Sequence, residues 1–286
     1  MTLVGYLSRI QGLMANSEFN LDKMEVELHD GKAFYKMLTP EGPVLMNDLV
    51  GKRFSLHFHK EINCTNCNKK IPKSYAGGYC YPCSLKLAEC DMCILRPETC
   101  HFDKGTCRQP DWGLANCMIP HYVYLANSSG LKVGITRTTQ IPTRWIDQGA
   151  VQALPILKVG TRYLSGVFEK LISSEINDKT DWRKMLKGNP EEIDLEAKRD
   201  ELFELFGDDL DELEGKYGSD KVSILESELV TDIEYPVEMY PEKVASVSFG
   251  KKEVVGGKLC GIKGQYLIFD IGVINIRSHT GYKVHL

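Results

Sequence analysis

A chain of 286 residues, 43% hydrophobic and 26% charged, is long enough for two or three domains and too apolar for a disordered polymer. No apolar run approaches the ~18 residues a membrane span needs, and Met1–Tyr6 lacks a basic stretch ahead of an apolar one, so neither membrane insertion nor a signal peptide is expected. The net charge of -4 is spread unevenly: residues 121–190 hold 10 Lys and Arg against 5 Asp and Glu, residues 191–286 hold 11 against 21, and residues 1–120 are nearly balanced.

Taken in chain order, residues 1–60 read as a β-rich segment. From Val4 to Phe58 short apolar stretches alternate with turns, and Lys23–Leu28 and Phe54–Phe58 have the period of two that a half-buried strand requires. Residues 61–120 are cysteine-rich and 121–190 read strand, strand, helix, strand, helix. Residues 191–235 are acidic and helical: Leu195, Leu202, Leu205, Phe206, Leu210 and Leu213 share a helical stripe that Gly207 should break or bend. Residues 236–286 return to strands punctuated by Gly256-Gly257 and Gly281. The expected fold class is α+β, with the two β-rich ends packed together around a small barrel-like sheet.

Nine of the ten cysteines fall between Cys64 and Cys117. Without a signal peptide the expected home is the reducing cytoplasm, where clustered thiols serve as metal ligands rather than disulfides. Cys64-x2-Cys67 and Cys80-x2-Cys83 have the spacing of a zinc ribbon. Four thiolates close the tetrahedron of a structural Zn²⁺ and leave no position for water, so this ion should not be catalytic. A second zinc is expected at Cys90, Cys93, Cys107 and Cys117, with Cys100 or His101 as replacements; the alternative is that some of these thiols are buried small hydrophobes. His57 and His59 read as surface or packing residues, and Cys260 as core.

The basic block holds the functional expectation. A hairpin is predicted from strands 122–125 and 132–136 around Asn127-Ser128-Ser129-Gly130. Alternation sends Val123, Leu125, Val133 and Ile135 toward a core and leaves Tyr122, Tyr124, Lys132, Gly134 and Thr136 on an exposed face. Two phenols, an ammonium and a hydroxyl, followed by Arg137, would suit a nucleic acid, with Tyr122, Thr136 and Arg137 as contact residues.

From His121 to about Glu175 the sequence resembles the GIY-YIG superfamily of nucleases, which includes excision-repair and homing endonucleases. Tyr122-Val123-Tyr124 corresponds to the first motif and Lys132-Val133-Gly134 to the second, while Arg144 matches the helix arginine and Glu169 the later glutamate. The resemblance implies a catalytic set of Tyr124, Lys132, Arg144 and Glu169. In it the phenol and guanidinium orient water against a phosphodiester, and the glutamate holds Mg²⁺ or Mn²⁺. Tyr122 stands where the family has glycine and Lys132 where it has the second tyrosine, a Lys-Val/Ile-Gly form similar to one branch of the superfamily. On spacing alone, Glu169 also reads as a helix-surface residue and Arg144 as a partner of Asp147.

A wider resemblance is to a bacterial family with no assigned function. It rests on residues 78–83, Cys100-His101, Gly105–Arg108, Lys132–Ala150, Gly261–Tyr266 and Asn275–Arg277. Three functional readings follow: a metal-dependent phosphodiesterase, a non-cutting RNA- or DNA-binding platform, and a protein-interaction module using the acidic C-terminal region.

Overall fold

The structure, a computed structural model, describes residues 17–176 and 179–286; the strand reading of residues 4–16 and the reading of Met1–Tyr6 lie outside them. In the first part of the chain the strands are β1 (Phe19–Asn20), β2 (Glu25–His29), β3 (Lys32–Thr39), β4 (Gly42–Leu45), β5 (Arg53–Asn63) and β6 (Lys70–Ile71), followed by helices α1 (Tyr81–Lys86) and α2 (Pro110–Asn116). Next come β7 (His121–Asn127), β8 (Leu131–Arg137), α3 (Thr143–Asp147), β9 (Gln152–Val159), α4 (Arg162–Ile172) and α5 (Trp182–Met185). The remainder is α6 (Leu195–Leu205), α7 (Gly207–Tyr217), β10 (Val222–Ile224), β11 (Thr231–Asp232), β12 (Val254–Lys263), β13 (Tyr266–Phe269), β14 (Gly272–Asn275) and β15 (Tyr282–His285). The class is α+β, and no helix among the described residues is long and apolar enough to cross a membrane.

Two compact units result, one of residues up to Ser84 with Tyr235–Leu286, the other Leu85–Glu234. The cysteine-rich segment expected as one module is therefore divided, its first four thiols in one unit and its last five in the other.

The first unit joins the N- and C-terminal segments in one antiparallel sheet, ordered β1-β15-β5-β12-β13-β14 with β6 added to β5. This order is open at β1 and β14, so the described strands form no closed barrel-like ring. The period of two in β5 turns Phe54 and Leu56 inward, and Leu56 lies opposite Val255 of β12, both fully buried. A separate three-stranded sheet, β2-β3-β4, begins with a two-residue turn at Asp30-Gly31. Both residues have positive φ, 48° and 74°, the backbone that a tight hairpin needs and that Asp-Gly accepts.

The second unit is built on the sheet β10-β9-β7-β8, with β11 also on β9. Val123, Leu125, Val133 and Ile135 do face a core, which α4, α6 and α7 complete with Leu164, Phe168, Leu202, Phe206 and Leu210. Pro155 has no N–H to give the ladder, and β9 carries a bulge beside it: Val123 lies opposite Leu157 but Tyr124 opposite Pro155, leaving Ile156 as the extra residue. Both Ile156 and Leu157 are consequently buried. The acidic helical stripe divides at Phe206 into α6 and α7, with the Asp194 carboxylate accepting the Ala197 N–H at 2.9 Å to cap the first.

The other face of this sheet departs from expectation. Tyr124 is wholly buried, and Lys132 and Thr136 are 3% and 5% exposed. Trp145 of α3 stands edge-on to the Tyr124 ring, centroids 6.1 Å apart. An exposed platform of phenols and cations is thus absent from this part of the hairpin, because a short helix folds over it; only Tyr122 and Arg137 stay partly open.

Candidate functional site

In the first unit β5 delivers Cys64 into a tight turn. The Asn68 N–H returns to the Cys64 carbonyl at 2.8 Å, and Asn68 takes a φ of 57°, a left-handed conformation that asparagine tolerates. Cys80 sits just ahead of α1 and Cys83 in its first turn. The four sulfurs of Cys64, Cys67, Cys80 and Cys83 all lie within 4.8 Å of one another, with 3.8 Å between Cys67 and Cys80. Zinc–sulfur bonds of about 2.3 Å give a tetrahedral edge of about 3.8 Å, so the group fits a zinc-type ion. Burial raises the Cys64 thiol, but the backbone N–H groups of Cys67, Cys80 and Asn66 outweigh it and bring it down to about 6. Asn66 adds an N–H donor to the Cys83 sulfur at 3.3 Å. Donors aimed at sulfur favour the thiolate a metal requires.

In the second unit Cys93, Cys100, Cys107 and Cys117 line one small cavity, and Cys90 is not among its walls. Asp91, Cys93 and His101 also bring their donor atoms within 4.8 Å of one another. Burial and then the Asp91 carboxylate push the Cys93 thiol up to about 11.

The hairpin brings a different chemistry together. Tyr124 donates its O–H to the side-chain Oε1 of Gln148 at 2.9 Å. Burial raises its pKa; Arg144 opposes the rise and bonds the phenol, and the Glu169 carboxylate is near enough to act on it. The phenol therefore keeps its proton at neutral pH. Opposite it, Gly134 leaves the needed space, since a Cβ there would stand 2.7 Å from the Tyr124 oxygen. Strand β7, helix α3 and helix α4 thus place Tyr124, Arg144 and Glu169 in one neighbourhood. Arg144 and Glu169 remain partly open to solvent.

The other expected residues are arranged differently. Lys132 shares the buried sheet face, opposite Ala126 and two pairs along from Tyr124 and Gly134. Tyr122 lies across from Thr136, and Arg137 donates to the side-chain amide oxygen of Asn116. Two residues of the site were not evident beforehand. Gln148 follows Arg144 by four and so shares its helical face, a spacing that could have drawn attention to it. Arg162, at the start of α4, acts on the same neighbourhood through both Arg144 and Glu169.

His57 and His59 also gain a partner far along the chain. His285 stacks on His57 at 4.5 Å between centroids and hydrogen-bonds His59 at 2.7 Å. These packing contacts depend on the pairing of β5 with β15.

Comparison with curated proteins and with solved structures finds no match. A family model described as protein of unknown function (DUF2797) matches residues 51–284, and the chain belongs to that family.

Proposed function

We propose that the protein processes nucleic acid as a divalent-metal-dependent phosphodiesterase whose working residues are Tyr124, Arg144 and Glu169, with zinc confined to a structural role. The observation that carries this reading is the approach of Arg144 and Glu169, from two different helices, to a single buried phenol. A guanidinium held by that phenol is a fixed, permanently charged fork for a phosphate. Glu169 is the one side chain assigned to hold Mg²⁺ or Mn²⁺. A single partly exposed carboxylate fits such an ion, which keeps several waters and takes its other ligands from the substrate phosphate. When bound, the ion would supply Lewis-acid polarisation of a phosphoryl oxygen. Tyr124 keeps its proton and orients Arg144 and Gln148; it is a positioning residue rather than the base. The excess of Lys and Arg in residues 121–190 supports an anionic polymer as substrate.

A non-cutting platform is the second reading, and a different observation favours it. Lys184 and Lys187, with Ser128 and Ser129, line an open cavity of about 210 Å3 within the basic block. Cations and hydroxyls there could hold a phosphate backbone without chemistry.

Labelled single-stranded, duplex and structured DNA and RNA, incubated with Mg²⁺ or Mn²⁺, separate the readings. The phosphodiesterase predicts cleavage by the wild type that Glu169→Ala abolishes at unchanged zinc content. Cleavage that survives in Glu169→Ala would remove the assignment of that residue. Absence of cleavage on every substrate, with salt-sensitive binding lost in Lys184→Ala/Lys187→Ala, would replace the enzyme with the platform.

A further inference from the structure

An open cavity of about 500 Å3 lies in the first unit, lined from β5, β6, β15 and the turn ahead of β12. That is the size of a ligand site and far beyond what one ion or water needs. Its floor is aromatic. The rings of Phe58, Phe249 and Tyr282 form a triangle, with centroids 5.1, 5.4 and 6.1 Å apart. Phe58 and Tyr282 stay part-exposed, and Ile71 of β6 extends the apolar surface. Such a surface suits a flat aromatic ligand.

The rim is cationic. Lys60 and Lys70 line the cavity. The stretches that bear its walls, residues 58–62, 69–73 and 249–253, hold six lysines (Lys60, Lys69, Lys70, Lys73, Lys251 and Lys252) against Glu61 and Glu253. All six lysines are exposed. Lys60 pairs with Glu253 at 2.6 Å and Lys70 with Glu61 at 3.2 Å. These are surface pairs, which contribute little and yield readily to another anion. Glu61 would keep Lys283, at 2.9 Å, when Lys70 turned to a phosphate. Lys60 also takes a φ of 56° inside β5, a left-handed conformation that costs a lysine energy and that gathers at ligand sites. It lies in the register shift where Tyr282 is opposite Ile62 but Val284 opposite Phe58.

The four-thiol group holds one wall in place. Strand β6 falls between Cys67 and Cys80 and sets Ile71 opposite Ile62 of β5. The Lys69 carbonyl accepts the Cys64 N–H at 2.9 Å, so the lysine-rich wall is part of the metal-binding turn.

We propose that this cavity binds single-stranded nucleic acid, one base entering over Phe58 and Tyr282 while neighbouring phosphates meet the lysines of residues 69–73 and 251–252. Aromatic rings interleaved with cations are the chemistry of single-strand binding, and stacking accepts any base. The occupant is a strand rather than a free nucleotide, because the lysines continue along the chain beyond the residues that line the cavity. A duplex keeps its bases stacked and would meet the lysines alone. This inference stands apart from the phosphodiesterase reading: it concerns the other unit, and its readout is binding without Mg²⁺ or Mn²⁺.

The test is fluorescence anisotropy of short labelled single-stranded RNA and DNA with the full chain, over a range of salt, followed by ultraviolet crosslinking and peptide mapping. Single strands should bind, with crosslinks at Phe58 or Tyr282 that persist in Lys184→Ala/Lys187→Ala. Lys70→Gln/Lys251→Gln/Lys252→Gln should lower the slope of log affinity against log salt by about 2, at about 0.7 per phosphate contact. Phe58→Leu should weaken binding about ten-fold and leave that slope unchanged. Absence of binding, crosslinks confined to residues 85–234, or an unchanged slope in the lysine variant would each overturn the proposal. So would duplex, mononucleotide or polyglutamate binding as tight as that of the single strand. Should Phe58→Leu fail to fold, the lysine variant and the crosslinks still decide the matter.

Discussion

Gly166→Ala tests the packing that supports the candidate centre. In an open helix interior this change stabilises by about 1 kcal/mol, because alanine loses less backbone freedom on folding. At Gly166, inside α4, the new Cβ would stand 2.5 Å from Pro97 Cβ, 2.6 Å from the Glu98 nitrogen and 2.9 Å from the Pro97 carbonyl carbon. Two of these are backbone atoms and the third belongs to a proline ring, so none can rotate aside. Forcing a methyl into such packing costs about 1–3 kcal/mol, and the depth of overlap points to the upper end. The clash should therefore exceed the propensity gain, for a net loss of about 1–2 kcal/mol. Gly215→Ala in α7 is the control: nothing lies within 4 Å of its Cβ, and a gain of up to about 1 kcal/mol is expected. Trp112, Trp145 and Trp182 all belong to the second unit, so tryptophan fluorescence during urea unfolding reports that unit alone. The midpoint should fall for Gly166→Ala and rise for Gly215→Ala. A Gly166→Ala midpoint at or above that of the wild type would refute the close seating of the Pro97 turn on α4.

Loss of the first metal cluster should be severe: Cys80→Ser, or chelation, removes one zinc and unfolds the 64–83 region, since binding energies on the order of 10 kcal/mol are folding energy in such sites. Zinc release that leaves circular dichroism and proteolysis of that region unchanged would contradict this. Acid should also destabilise the second unit through His121. Burial, followed by the charges of Arg162 and Arg137, takes its pKa down to about 4, against a bond to the Ile119 carbonyl that raises it. An unfolded histidine takes its proton near 6.5 and the folded one resists, so stability is full above pH 6.5 and falls as pH drops toward 4. The whole effect is about 3 kcal/mol at 1.36 kcal/mol per unit. His121→Gln should flatten this slope between pH 6.5 and 4 in urea titrations; an unchanged slope would assign it to other groups.

The linear sequence determined what depends on local spacing. Two Cys-x2-Cys pairs at ribbon distance identified the first tetrathiol group, because each pair closes its own turn and only one loop must bring them together. Alternation placed Val123, Leu125, Val133 and Ile135 in a core, and Gly207 marked the division between α6 and α7. Tertiary structure decided whatever required a second element to arrive. Period two shows that Tyr124 and Lys132 share a face, but not that α3 and Trp145 cover it. Cys90 and Cys100 are equivalent as letters, and only the path of the chain around α2 puts Cys100 on the cavity wall and leaves Cys90 off it. His57 met His285, more than two hundred residues away, only because β5 pairs with β15. Periodicity records which side of its own strand or helix a residue occupies. What lies against that side is set by long-range register, and no local pattern encodes it.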